Sequence, residues 1–185
     1  TMRPVNVVLD NKDLLNIEPP AKFEIVRASS LYGHEPKPME WVMEDWMPRG
    51  QTTLIYGDGG VGKTQLVQQL MSCVATGRPF MGVECAEGPA MGFFCEDDIN
   101  QLHRRQASIN TLYGMDFRGL DNLFLSARPA QDNLLMEFDG KNVNGVKTQI
   151  WHQLREKVGD IKPTMLTIDT AADTFGGNEI DRQQV

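Results

Sequence analysis

Eight consecutive residues, Gly57-Asp58-Gly59-Gly60-Val61-Gly62-Lys63-Thr64, constrain this chain more than any other feature. They satisfy the pattern GxxxxGK[ST]. The glycines let the backbone curl so that successive N–H groups point inward at phosphate oxygens. That geometry needs a strand before it and a helix after it, because the helix contributes the positive end of its dipole. The flanks supply both: Thr52–Tyr56 is a short apolar run that reads as a strand, and Leu66, Val67, Leu70, Met71 and Val74 recur at helical spacing. Gly77 and Pro79 then stop the helix. A chance glycine turn would not bring this context with it. The expected ligand is a nucleoside triphosphate with Mg²⁺, ATP in the leading reading. Gly57, Asp58, Gly59, Gly60, Val61, Gly62 and Gln65 belong to the phosphate cradle, Lys63 reaches the β- and γ-phosphates, and the Thr64 hydroxyl ligates the metal.

Two acidic positions follow from the rest of the pattern. Met165–Ile168 is an apolar strand that ends in Asp169. A carboxylate at the C-terminal end of a buried parallel strand faces the crevice where open α/β sheets bind ligands. Beside Thr64 it can hold Mg²⁺ as a Walker B aspartate does, although a turn or cap aspartate would look the same. Ala90–Cys95 is a second such strand and runs into Glu96-Asp97-Asp98. Hydrolysis needs a group that orients the attacking water, and Glu96 is the candidate, with Asp97 and Asp98 as competitors. The plainer reading is that these acids open the next helix, where Asp98 is a good N-cap. Both can hold.

Phe23–Val26, Asn122–Ser126 and Leu134–Phe138 read as further strands, with a turn at Asp139-Gly140. A polar helix begins near Ile99, and Val146, Ile150, Leu154 and Val158 mark an amphipathic one. Strands alternating with helices predict an α/β fold, a mostly parallel sheet flanked by helices. Residues 1–40, broken by Pro4, Pro19, Pro20, Pro36 and Pro38, read as an arm or linker ahead of a core over 41–185. Arg104 and Arg105 read as a solvated helix face. Trp41, Trp46 and Trp151 read as packing residues, and the methionines as core filler.

The hydrophobic fraction is 41%, which excludes a disordered chain. The net charge is −7 with a pI near 4.9, against a passive nucleic-acid coat held by bulk electrostatics. Cys73, Cys85 and Cys95 lack CxxC spacing and read as free thiols in a reducing cytoplasm. No apolar run reaches membrane length, so no membrane partner is expected. A small-molecule kinase lacks an acceptor-site signature here, and a GTPase lacks an NKxD-like guanine reader.

Taken together, several segments resemble the RepA-like ATPases of the RecA/DnaB superfamily. They are Trp41-Val-Met-Glu-Asp-Trp46-Met-Pro-Arg-Gly50, the phosphate-binding loop, Thr76-Gly-Arg-Pro-Phe80, Phe94-Cys-Glu-Asp-Asp98 and Ile168-Asp-Thr-Ala-Ala-Asp-Thr-Phe-Gly-Gly-Asn-Glu179. The likeness runs from about residue 28 to the end. It implies a RecA-like P-loop core, ring or filament homo-oligomers, and ATP turnover linked to single-stranded DNA. It also implies that Lys63 and Thr64 serve phosphate and magnesium, Asp169 is the Walker B acid and Glu96 the catalytic glutamate, with a DNA-facing loop near Asp173–Asn178. Such proteins carry further strands after the Walker B strand, one beside the P-loop strand. The sheet expected here therefore lacks its C-terminal strands, and Asn178 with Asp181 reads as the opening of a helix.

Overall fold

A computed structural model of the chain describes residues 23–138 and 145–176. The chain divides after Pro38 into two units, residues 1–38 and 39–185. In the first unit, Phe23–Val26 is not the strand expected. It is irregular and followed by a short 3₁₀ turn at Ala28–Leu31, with Phe23 92% exposed. Three β-prone residues form no ladder without an edge to pair with.

The second unit opens with a small antiparallel hairpin, β1 (Trp41–Met43) and β2 (Met47–Pro48). Then come α1 (Lys63–Thr76), β3 (Ala90–Phe94), α2 (Ile99–Tyr113) and β4 (Leu123–Ala127). The two-residue strands β5 (Met136–Glu137) and β6 (Val146–Lys147), α3 (Gln149–Ile161) and β7 (Met165–Asp169) complete it. The central sheet has the order β4-β3-β7, with β3 parallel to both neighbours. Strands alternate with helices as the pattern predicts.

The core sits where α1 lies on the sheet. Val67, Leu70, Met71, Cys73 and Val74 of α1 are buried with Ala90, Phe94, Leu102 and Met165. Alternation along β3 sends Ala90, Gly92 and Phe94 to this side. Gly92 is required there: a Cβ would stand 2.3 Å from the Phe94 ring and 2.9 Å from Met71 Cε. Met91 and Phe93 face the other way and line a cavity of about 360 Å³ with Ile150 and Leu154 of α3. The amphipathic helix is present, yet none of its residues is fully buried.

Three local expectations change. Thr52–Tyr56 forms no strand; Leu54 is 72% and Tyr56 88% exposed. Apolar cavities of about 180 and 460 Å³ separate this segment from residues 164–171, so its backbone meets no ladder there. Leu134–Phe138 shrinks to β5, and Val146 belongs to β6, paired with β5, rather than to the helix. The Thr148 side chain accepts from Trp151 N at 3.3 Å and starts α3 after it. Trp46 is 71% exposed and does not pack, nor do the exposed Met39 and Met81. The expected Asp139-Gly140 turn, Asn178 and Asp181 lie outside the described residues.

Candidate active site

The glycine-rich loop runs exposed from Gly57 to Gly62 into the first turn of α1. Gly60 (φ +76°) and Gly62 (φ +93°) adopt left-handed backbone angles, which explains why glycine stands at both. Gly62 is also the N-cap of α1, and its carbonyl accepts from Leu66 N at 2.9 Å. No side chain caps the first-turn amides, and orphan donors at a helix start can take the oxygens of an anion. Lys63, Thr64 and Gln65 are half-buried in that turn. Lys63 Nζ bends back and donates to the carbonyls of Gly57 and Asp58, both at 2.8 Å. The loop thus curls round its own ammonium group.

Asp169 closes β7 and is half-buried. Together with Lys63, Val67 and Thr53–Ile55 it lines the cavity of about 180 Å³, so sequence positions more than a hundred apart meet in one recess. Thr64 and Glu96 are not among its lining residues. Glu96 lies at the neighbouring strand end. Phe94 pairs with Asp169 in register, and Cys95 N donates to the Asp169 carbonyl at 2.7 Å. One residue further, Glu96 is exposed at the C-terminal edge of the sheet, the side on which such sheets bind ligands. Asp98 caps α2 as expected, accepting from Gln101 N at 2.7 Å.

The metal fit rests on donor chemistry. A hydroxyl at Thr64 and a carboxylate at Asp169 are hard oxygen donors of the kind Mg²⁺ prefers.

Arg105 departs from expectation. Arg104 is exposed, but the Arg105 side chain is only 11% exposed and ion-pairs with Asp97, Nη1 to Oδ2 at 2.8 Å. The same nitrogen lies 3.3 Å from Gln68 Oε1 on α1. A sequence signal for this was present: Gln68 with Ser72 and Gln106 with Asn110 are polar i,i+4 pairs set inside apolar helix faces. Asp173, in the segment expected near a DNA-facing loop, accepts from the Thr170 hydroxyl at 2.6 Å.

Among the free cysteines, burial pushes the Cys73 and Cys95 thiols up to about 11. For Cys95 the nearby carboxylate of Asp173 adds to the effect. Both are poor nucleophiles at neutral pH.

A family model described as an AAA domain matches residues 17–185. The chain belongs to the AAA domain family. Its β4-β3-β7 sheet with flanking helices is accordingly a RecA-like P-loop α/β fold, and the chain is a nucleotide-binding ATPase domain. Comparison with curated proteins gives no significant match. No helix among the described residues of this AAA domain is long and apolar enough to cross a membrane.

Proposed function

We propose that this AAA domain is an ATP-hydrolysing motor of the RecA and RepA-like type, turning over ATP with Mg²⁺ in response to single-stranded DNA in replication or recombination. The observation that carries the catalytic part is the recess shared by Lys63 and Asp169, with Glu96 on the adjoining strand end. The backbone from Gly57 to Thr64, with Gln65 behind it, cradles the phosphates. Lys63 leaves the Gly57 and Asp58 carbonyls to bind β- and γ-phosphate oxygens. Thr64 and Asp169 would hold magnesium, which would neutralise charge on those oxygens. Glu96 orients the water that attacks the γ-phosphorus, releasing ADP and inorganic phosphate. Single-stranded DNA and a homo-oligomer with nucleotide at its subunit boundaries follow from the RepA-like resemblance, and a reducing cytoplasm suits the free thiols.

A second reading is favoured by the net charge of −7: an ATP-dependent switch acting on a protein partner, since an acidic surface repels a polyphosphate.

Magnesium-dependent ATP turnover by the full-length gene product, with and without single-stranded DNA, separates the two. Stimulation by DNA is expected. Unchanged turnover, with a stable protein complex only in ATP, selects the switch. Glu96→Gln is expected to bind ATP with ordinary affinity and turn over at least about a hundredfold more slowly. Normal turnover in that variant moves the role to another residue.

A further inference from the structure

A continuous polar chain runs between α1 and α2 through an otherwise apolar interface. Gln68, fully buried, donates from Nε2 to the Leu102 carbonyl at 3.0 Å and to Gln106 Oε1 at 2.9 Å. Gln106 donates to Ser72 Oγ and to Asn110 Oδ1, both at 3.0 Å. At the other end, Gln68 Oε1 meets Arg105, and Arg105 grips Asp97. Apolar side chains would hold two helices together at least as well. A buried polar network instead fixes one relative placement, because any slip leaves desolvated groups unpaired.

The two ends of this chain matter. Gln68 lies one helical turn after Thr64, on the helix that bears Lys63. Asp97 is the residue next to Glu96. The segment round Glu96 is held by Cys95 N on the Asp169 carbonyl, by the Asp97 carboxylate on Arg105 and by the Asp98 cap. Only the middle tie reaches α1.

We propose that Arg105 is a positioning residue: through Asp97 it sets the Glu96 carboxylate against the phosphate-binding loop, and through Gln68 it ties that setting to α1. The inference rests on the assignment of Glu96 made above. It acts on the chemical step and leaves ATP binding alone, since Arg105 lies on α2 and touches Asp97 and Gln68 rather than the loop.

The test is steady-state ATPase kinetics on the full-length protein. Arg105→Ala is expected to lower kcat about 10- to 100-fold, the cost of displacing a catalytic group by an ångström or so, with KM for ATP within about twofold of wild type. Arg105→Lys, which keeps a cation able to reach Asp97 but loses the planar guanidinium whose Nη1 meets both Asp97 and Gln68, recovers turnover to within about tenfold of wild type. Asp97→Ala has the effect of Arg105→Ala, and the double variant is no worse than either. Asn110→Ala, at the far end of the same network, lowers the melting temperature without changing kcat. Wild-type kcat in Arg105→Ala, while Glu96→Gln is inactive, overturns this inference alone. Equal loss of kcat in Asn110→Ala and in folded Arg105→Lys overturns it too, by reducing the network to a structural one. Full turnover in Glu96→Gln overturns the Glu96 assignment and this inference with it.

Discussion

Thr52–Tyr56 and Ala90–Phe94 are both five-residue apolar runs leading into a chemically loaded loop, and the molecule treats them oppositely. All five residues of β3 are buried, with a parallel neighbour on each side. All five of Thr52–Tyr56 are exposed and outside any strand. The difference teaches that apolarity nominates a strand but a ladder makes one. β3 has β4 and β7 to bond, whereas cavities separate Thr52–Tyr56 from β7. Both runs still deliver their loops to the same edge of the sheet.

Substitution can break this comparison most sharply at the core. Phe94→Ala is expected to cost about 3–5 kcal/mol of unfolding free energy. Leu54→Ala should stay within about 0.5 kcal/mol. Urea unfolding of both variants decides it; equal costs would mean that Thr52–Tyr56 packs as firmly as β3.

Thiol chemistry sharpens the contrast next. Cys95 follows β3 directly, and burial first, then Asp173, raises its pKa from 9.0 to about 11. At pH 8 the thiolate fraction is therefore about a hundredfold below that of an ordinary thiol. A Leu54→Cys variant should alkylate faster than Cys95 by at least that factor, measured by mass spectrometry with iodoacetamide. The linkage has a definite sign. A thiol whose pKa is raised in the folded state favours folding in full below the ordinary value near 9, and that contribution is lost as pH rises towards about 11. Stability should fall across that window, and less steeply in Cys73→Ala, which removes one of the three raised thiols.

The smallest effect concerns the loops that the two runs feed. The Glu96 loop is capped by Asp98, so Asp98→Ala should lower stability by about 1 kcal/mol. Asp58→Ala, in the exposed Gly57–Gly62 loop, should cost less than half as much, because Lys63 binds the Asp58 backbone carbonyl and not its side chain. Differential scanning calorimetry of the pair measures the gap.

Features that depend on short-range chemistry were legible before any coordinates. The glycine loop, α1 with its Gly77 stop, β3, β7 ending in Asp169 and the Asp98 cap each rest on neighbours within a turn or a strand. What escaped depended on distant partners. Arg105 is eight residues from Asp97 and 37 from Gln68, and only the packing of α2 on α1 converts a surface-looking arginine into a tie. Val146 fits a helical period arithmetically, but pairing with Glu137 draws it into β6 instead. Thr52–Tyr56 misled for the same reason, since a partner is not written into the run itself.

The grip of Lys63 on the Gly57 and Asp58 carbonyls has a consequence for how ligand enters. The ammonium group is an internal tether that draws the start of the loop toward the first turn of its helix. Arrival of a triphosphate is then a swap of one set of oxygens for another around the same ammonium group. Replacing Lys63 by alanine would accordingly do two things at once, removing a charge and letting the unliganded loop go slack.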